Sequence, residues 1–160
     1  MITYAGSQKL LSWFAGKTYG SNTLYAGLSS TPPTIAGANV TEPKVNSYAR
    51  VRIAYNNGSS VNTVFGNLVN NTDGSYVTNS SQIYFNETFN TGSNTVEDWG
   101  ELGWICLFGS ASGSDLLAFD ELPNKIHPGG NGESTIPIIR VGDAKITIGN
   151  ATNQEETTED

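Results

Sequence analysis

Residues 48–54 read YARVRIA. In an extended chain successive side chains point to opposite faces. Ala49, Val51 and Ile53 therefore share one face, and Tyr48, Arg50 and Arg52 share the other. Apolar residues recurring every second position predict a β-strand with one face on a core. Asn57-Gly58 follows directly, a dipeptide suited to the tight turn of a hairpin. Beyond it, residues 61–69 predict a weaker strand, and Asp73-Gly74 a second turn. Tyr76-Val77-Thr78 and QIYFN (82–86) predict two short strands, with Ile83 and Phe85 pointing inward on the second.

The same period holds upstream. TLYAGLS (23–29) sets Leu24, Ala26 and Leu28 on one face. The stretch from 29 to 47 reads as a long loop, because Pro32, Pro33 and Pro43 cannot donate to a ladder. Loops of that length in a compact domain are commonly functional. Downstream, GELGWICLFGS (100–110) is the most apolar stretch. It is short and bounded by glycines, which predicts a central strand. GSASGSD predicts a turn, LLAFDEL (116–122) the partner strand, and Pro123–Gly132 another loop. TIPIIRVG and AKITIG are expected to close the sheet.

One segment breaks the period of two. In YAGSQKLLSWFAG (4–16), Leu10, Leu11, Phe14 and Ala15 form a helical stripe, Thr3 or Ser7 can cap the start, and Gly16 can end it. So short a helix needs a surface to lie on, and it is expected to cover an edge or end of the sheet. One helix and about eight strands at regular spacing predict a mainly β fold, an antiparallel β-sandwich of jelly-roll-like type. A single domain over 1–149 and an acidic C-terminal tail over 150–160 are expected. No repeat of 20–50 residues is present, so solenoids and propellers are not expected.

Composition agrees and narrows function. Asn, Ser and Thr number 17, 16 and 17 among 160 residues, with 18 glycines and only 14% charged residues, the balance of a chain rich in turns and short strands. No apolar run reaches the ~18 residues of a membrane span, and the first residues lack the layout of a secretory signal. The net charge is −7, and Arg50 and Arg52 are the one basic pair at strand spacing. Nucleic acid, which demands a basic footprint, is not an expected partner, nor is a membrane. Four acids, Glu155, Glu156, Glu159 and Asp160, fall in the tail, which reads as a solvated end or as an arm for a basic groove.

No constellation for chemistry emerges. His127 stands in a loop before a proline, with no nucleophile elbow to serve. Cys106, inside the apolar strand, lacks the electropositive surroundings that make a reactive thiolate. Glu97, Asp98 and Glu101 bracket Trp99. They are the only candidates for a carboxylate pair acting on host polysaccharide, or for a calcium site. A solvated turn that anchors Trp99 in the core is the simpler reading. Asp120 and Glu121 are adjacent on a strand and so face opposite ways. GSASGS lacks the lysine and helix of a phosphate loop. No catalytic residue, metal or cofactor is expected.

Four blocks carry a resemblance: LLSWFAGK (10–17); LYAGLSSTPPTIAGANVTEP (24–43) with SYARVRI (47–53); the run from Gln82 to Leu122 through EDWGELGWICLFGS; and IPIIRVGDAKITI (136–148). In this order they resemble short phage virion proteins commonly labelled tail fibre proteins. The departures are Asn86, where that family tends to have proline, and Gly109-Ser110 in place of Asp-Ala. The resemblance implies a non-enzymatic structural part of a tailed phage particle. It implies virion proteins as partners, the major capsid protein or tail and baseplate proteins, after assembly in the bacterial cytoplasm. Repeats and coiled coils of a long fibre are missing, so size and shape favour a capsid decoration protein. A fibre or baseplate module that recognises host-surface glycan or protein is the alternative. A homo-oligomer is expected, with a trimer favoured because closed symmetry is usual. Expected contact residues are Trp13 and Phe14, whose rings leave a helix ~100° apart, together with Pro32 and Pro33 in the long loop and Glu155, Glu156, Glu159 and Asp160 in the tail.

Overall fold

The computed structural model describes residues 1–17, 23–56, 61–67, 69–71, 74–85, 97–129 and 137–149. In chain order they form α1 (Tyr4–Phe14), β1 (Leu24–Ser29), β2 (Val51–Asn56), β3 (Val61–Thr63), β4 (Val69–Asn71), β5 (Gly74–Thr78), β6 (Ile83–Tyr84), β7 (Leu102–Phe108), β8 (Leu116–Ile126), β9 (Ile138–Ile139) and β10 (Lys145–Gly149). The fold is mainly β with one helix, as the sequence predicts. The strands do not close into a jelly roll. They fall into a five-stranded sheet, β3-β2-β1-β7-β8, a three-stranded sheet, β10-β5-β4, and a pair, β6-β9, all antiparallel. TIPIIRVG and AKITIG thus serve the two smaller sheets rather than closing the large one. Strands β6 and β9, each only two residues, carry too few ladder bonds to widen that sheet.

Both predicted hairpins are present through their registers, Asn56↔Val61 and Asn71↔Gly74; Asn57-Gly58 and Asp73 lie outside the described residues. The main core lies on one face of the large sheet. Ala26, Leu28 and Ile53 pack with Ile83, Phe85, Trp99 and Leu102, and Ile139 of β9 packs against them. Ile83 and Phe85 point inward as the alternation requires. A second cluster, Cys106, Phe108, Leu116 and Phe119, occupies another part of the sheet, with Tyr25, Val40 and Trp104 against it. Asn79 ties the smaller sheet into the whole. It is buried, its amide donates to the Ser81 and Arg140 carbonyls, and its Oδ1 accepts from the N–H of Ala144. A buried amide satisfied on every side fixes one arrangement of the segments it joins.

Strand β8 departs from expectation. It runs on through Pro123 to Ile126, where a loop was predicted. Leu102 pairs Ile126 while Trp104 pairs Glu121. Five residues of β8 therefore span two of β7, and Pro123 lies within the surplus. It is also on an edge strand, where its missing N–H costs no ladder bond. The outer edge of β8 is met by the first three residues. Met1 and Phe119 exchange hydrogen bonds of 2.5 and 2.9 Å, and the Thr3 N–H donates to the Leu117 carbonyl at 2.9 Å.

The helix begins there and does cover an edge, but of the predicted stripe only Leu10 is half-buried. The Thr3 hydroxyl caps it by accepting from the Gly6 N–H at 3.1 Å. At the other end Gly16 takes a φ of 67°, and the Lys17 N–H returns to the Ser12 carbonyl at 2.8 Å, the closing pattern of a glycine-terminated helix. Both caps were legible. The buried side consists of Thr3, Gly6 and Lys9, whereas Leu11, Phe14 and Ala15 are exposed. The cause is close approach: a Cβ on Gly6 would lie 2.1 Å from the Leu117 carbonyl oxygen. Only a glycine lets the helix sit this near β8, so the glycine's side is held against the strand and the apolar stripe is turned outward.

Candidate functional site

Four places gather residues that could carry function. The first is polar and internal. Arg50, one residue before β2 and on the polar side of the 48–54 alternation, has its side chain only 6% exposed. Its Nε donates to both Glu42 oxygens at 3.0 and 3.1 Å, and its Nη2 to Glu42 Oε2 at 2.7 Å and to the Gly113 carbonyl at 2.7 Å. Its Nη1 donates to the Ser110 carbonyl at 3.1 Å. The guanidinium lies 3.4 Å from the Phe108 ring centroid, a cation–π contact. Tyr48 donates to Glu42 at 2.7 Å and accepts from the Leu28 N–H at 2.9 Å; burial raises its phenol above the ordinary range. Gly27 makes room, since a Cβ there would stand 2.7 Å from Phe108 and 3.0 Å from Glu42. The guanidinium is held by Glu42 and two loop carbonyls, with Asp115 3.9 Å from its Nη1, and the network locks the 29–47 segment onto the sheet.

That segment forms no strand, as predicted, yet it is held in place. Buried Ser29 accepts from the Thr41 N–H at 2.9 Å, and Asn39 donates to the Pro32 carbonyl at 2.7 Å. Pro32 is exposed and Pro33 buried, so of the two only Pro32 stands on the open surface. Gly109, the noted departure from the family pattern, sits beside the Asp115 carboxylate, 2.7 Å from where a Cβ would stand, a side-chain end that can turn away. Ser110 in turn donates to Asp115 at 2.7 Å. Asn86 lies outside the described residues, as do Glu155, Glu156, Glu159 and Asp160.

The acidic trio does not converge. Glu97 accepts from the Ser47 N–H at 2.7 Å, and Asp98 accepts from the Gly100 N–H at 2.8 Å and meets His127 Nε2 at 2.8 Å. Glu101 pairs with Lys125 at 2.6 Å. The Gly100 N–H first, and His127 second, hold the Asp98 carboxyl below its usual value. Each carboxylate serves a different partner, and Trp99 is buried between them, edge-on to Tyr48, with its indole N–H on Ser47 at 2.9 Å. Burial pushes the Cys106 thiol up to about 12, so it stays protonated and inert at neutral pH. Among the described residues no group of three or more His, Cys, Asp or Glu is placed to hold a metal.

Two surfaces remain open. A groove of about 500 Å³ runs between the 33–35 stretch and β8, with Ile35 on one wall, Trp104 and Phe119 on the other, and Asp120 and Glu121 at the rim. Its rings meet edge to face with centroids 6.1 Å apart. The second surface is the outer side of α1, where Tyr4, Leu11 and Phe14 are 63%, 66% and 84% exposed. Of the expected helix contacts, Phe14 is thus on the surface; the side chain of Trp13 lies outside the described residues. Tyr4, outside the predicted stripe, and Leu11, inside it, share that surface.

The chain matches over residues 1–152 the family model described as Gp80, podophage GP4 fiber I protein gp80. No curated protein matches it.

Proposed function

We propose that this chain, which belongs to the Gp80 family of podophage fibre proteins, acts as a fibre module that contacts the host surface. Membership makes it a non-enzymatic structural protein of a tailed phage and associates it with the virion and with other virion proteins. The finer role is our reading, and the observation that carries it is the fibre description of the family across nearly the whole chain. That description favours the fibre alternative over the capsid decoration expected from size. The missing repeats of a long fibre are no obstacle, since a compact module can sit within a composite fibre.

In this reading residues 1–149 are one body and the acidic residues 150–160 an arm toward a neighbouring virion protein. The body works as a closed oligomer, with a trimer the form we favour. The groove beside Trp104 and Phe119 is the receptor-facing site. An aromatic floor with carboxylate acceptors at the rim suits a polar host-surface group that has one apolar face. Purified protein in excess should lower adsorption of the phage to its host, and Trp104→Ala should abolish that competition while leaving the fold intact by circular dichroism. Unchanged adsorption at saturating protein, with the chain located on the capsid lattice in a reconstruction of the particle, would return the decoration reading.

A further inference from the structure

We infer that the groove beside Trp104 and Phe119 takes a sugar ring that carries a protonated amine, with the ring's C–H face on Trp104 and the ammonium on the Glu121 carboxylate. This rests on the receptor-facing reading of the groove and names the class of group it recognises.

The register of the sheet assembles the two parts. Trp104 pairs with Glu121, and Cys106 with Phe119. Residues directly opposite each other, and those two apart along one strand, share a face. Glu121, Trp104 and Phe119 therefore lie on one side of the sheet, and Asp120 is turned to the other. Directly opposed residues stand with Cβ atoms about 4.5–5.5 Å apart, which brings the Glu121 carboxylate within reach of the space over the indole. Trp104 is half-buried, so part of its ring is open to an incoming group.

Shape sets the body of the ligand. Pro33 and Ile35 stand on one wall and the two rings on the other, around a volume of about 500 Å³. That is within the range of sites that hold a small molecule. A saturated six-membered ring fills a slot between apolar walls, whereas the thin stem of a lysine leaves most of it to water.

Charge sets the substituent. The backbone of the walls is engaged already. Phe119 exchanges hydrogen bonds with Met1, the Ile35 carbonyl accepts from the Tyr4 N–H at 3.0 Å, and Thr34 Oγ1 accepts from the Ala38 N–H at 3.2 Å. Two carboxylate residues line the groove and no lysine or arginine does. The Met1 ammonium is held on the Phe119 carbonyl, and Asp120 Oδ1 accepts from the Glu121 N–H. Glu121 has no ion-pair partner among the described residues. Lys125 feels its charge but sits on Glu101 at 2.6 Å. An ammonium between Glu121 and the indole meets an unpaired carboxylate and the negative face of a ring together, and both attract it.

Titration calorimetry of the full chain with three tetrasaccharides of one linkage tests this. They are built of glucosamine, N-acetylglucosamine and glucose, and are compared at a pH where the sugar amine is protonated. The glucosamine form should bind, and the other two roughly tenfold more weakly or worse, the loss expected for a charge-assisted hydrogen bond. Glu121→Gln should remove that preference and leave the other two unchanged, and Trp104→Ala should weaken all three. Asp143→Asn removes an exposed carboxylate outside the groove and should change none. Spermidine, a cation without a ring, should bind more weakly than the glucosamine form. Circular dichroism checks that the variants fold. If the three sugars bind alike, or if Glu121→Gln keeps the preference, the groove does not select an amine. If spermidine matches the glucosamine form, or if Trp104→Ala binds like wild type, no ring is stacked. If Asp143→Asn weakens binding as much as Glu121→Gln, the attraction is general and the site is wrong. Should none of the sugars bind while excess protein still lowers phage adsorption, this inference fails and the fibre reading stands. Amine-selective binding without any effect on adsorption would do the reverse.

Discussion

The lead-in to strand β2 and helix α1 each bury a cation, and they do so for different reasons. In β2 the apolar face goes to the core as its pattern demands, and Arg50 is buried because the 29–47 segment folds over the other face and brings Glu42 with it. In α1 the apolar stripe is left in water and Lys9 is buried because Gly6 must lie against β8. Burial pushes the Lys9 ammonium below its ordinary value, with Asp115 opposing the shift. An amphipathic pattern thus reports which side of an element is apolar. It does not report which sides the rest of the chain will cover.

The contrast can be attacked from either element. The largest effect is expected in the sheet. Arg50→Ala strips Glu42 of its counter-charge and leaves the Ser110 and Gly113 carbonyls without their donor. Urea unfolding should show a loss of about 3–5 kcal/mol, the usual cost of breaking a buried ion pair from one side. A loss under ~1 kcal/mol would mean that water replaces the guanidinium and the 29–47 segment is held by other contacts. Next comes Gly6→Ala. A methyl group there must push against backbone, not a side chain that can turn, so about 1–3 kcal/mol should be lost by the cost of overpacking. An alanine tolerated without loss would place the helix farther from β8 than described. Thr3→Ala removes the helix cap and a hydroxyl bonded to the Leu116 and Leu117 carbonyls, and should cost ~1 kcal/mol. Leu11→Ser, at an exposed position, should change the unfolding free energy by no more than ~0.5 kcal/mol. A large loss would show that the stripe is core after all, and would remove the contrast.

How much was legible follows from the same physics. Alternation placed β1, β2 and β6, a short apolar run between glycines placed β7, and turn dipeptides marked two hairpins, because those signals are local. Both helix caps were local too and read correctly. The separation into three sheets was not, since no residue of β9 or β10 states which strand it will meet. The course of β8 through Pro123 was missed because proline is forbidden only where its N–H is needed, and edge position is a property of the fold. The buried role of Arg50 depended on Glu42, eight residues away across a loop. For the acidic trio the simpler reading was the right one: Trp99 is anchored in the core and each carboxylate has its own partner. Trp104 and Phe119 meet only through the β7–β8 register, which set the groove beyond reach of sequence spacing.

The outer edge of β8 has a consequence for how copies can join. An open edge strand is a template that any extended chain can zip onto. Here the Phe119 N–H is taken by Met1, the Glu121 N–H by the Asp120 carboxylate at 3.0 Å, and Pro123 has none to give. Backbone recruitment is thus blocked at each of these positions, by a strand-like segment, a side chain and an imino acid in turn. An extended chain arriving at this edge therefore finds no free donor at these three positions.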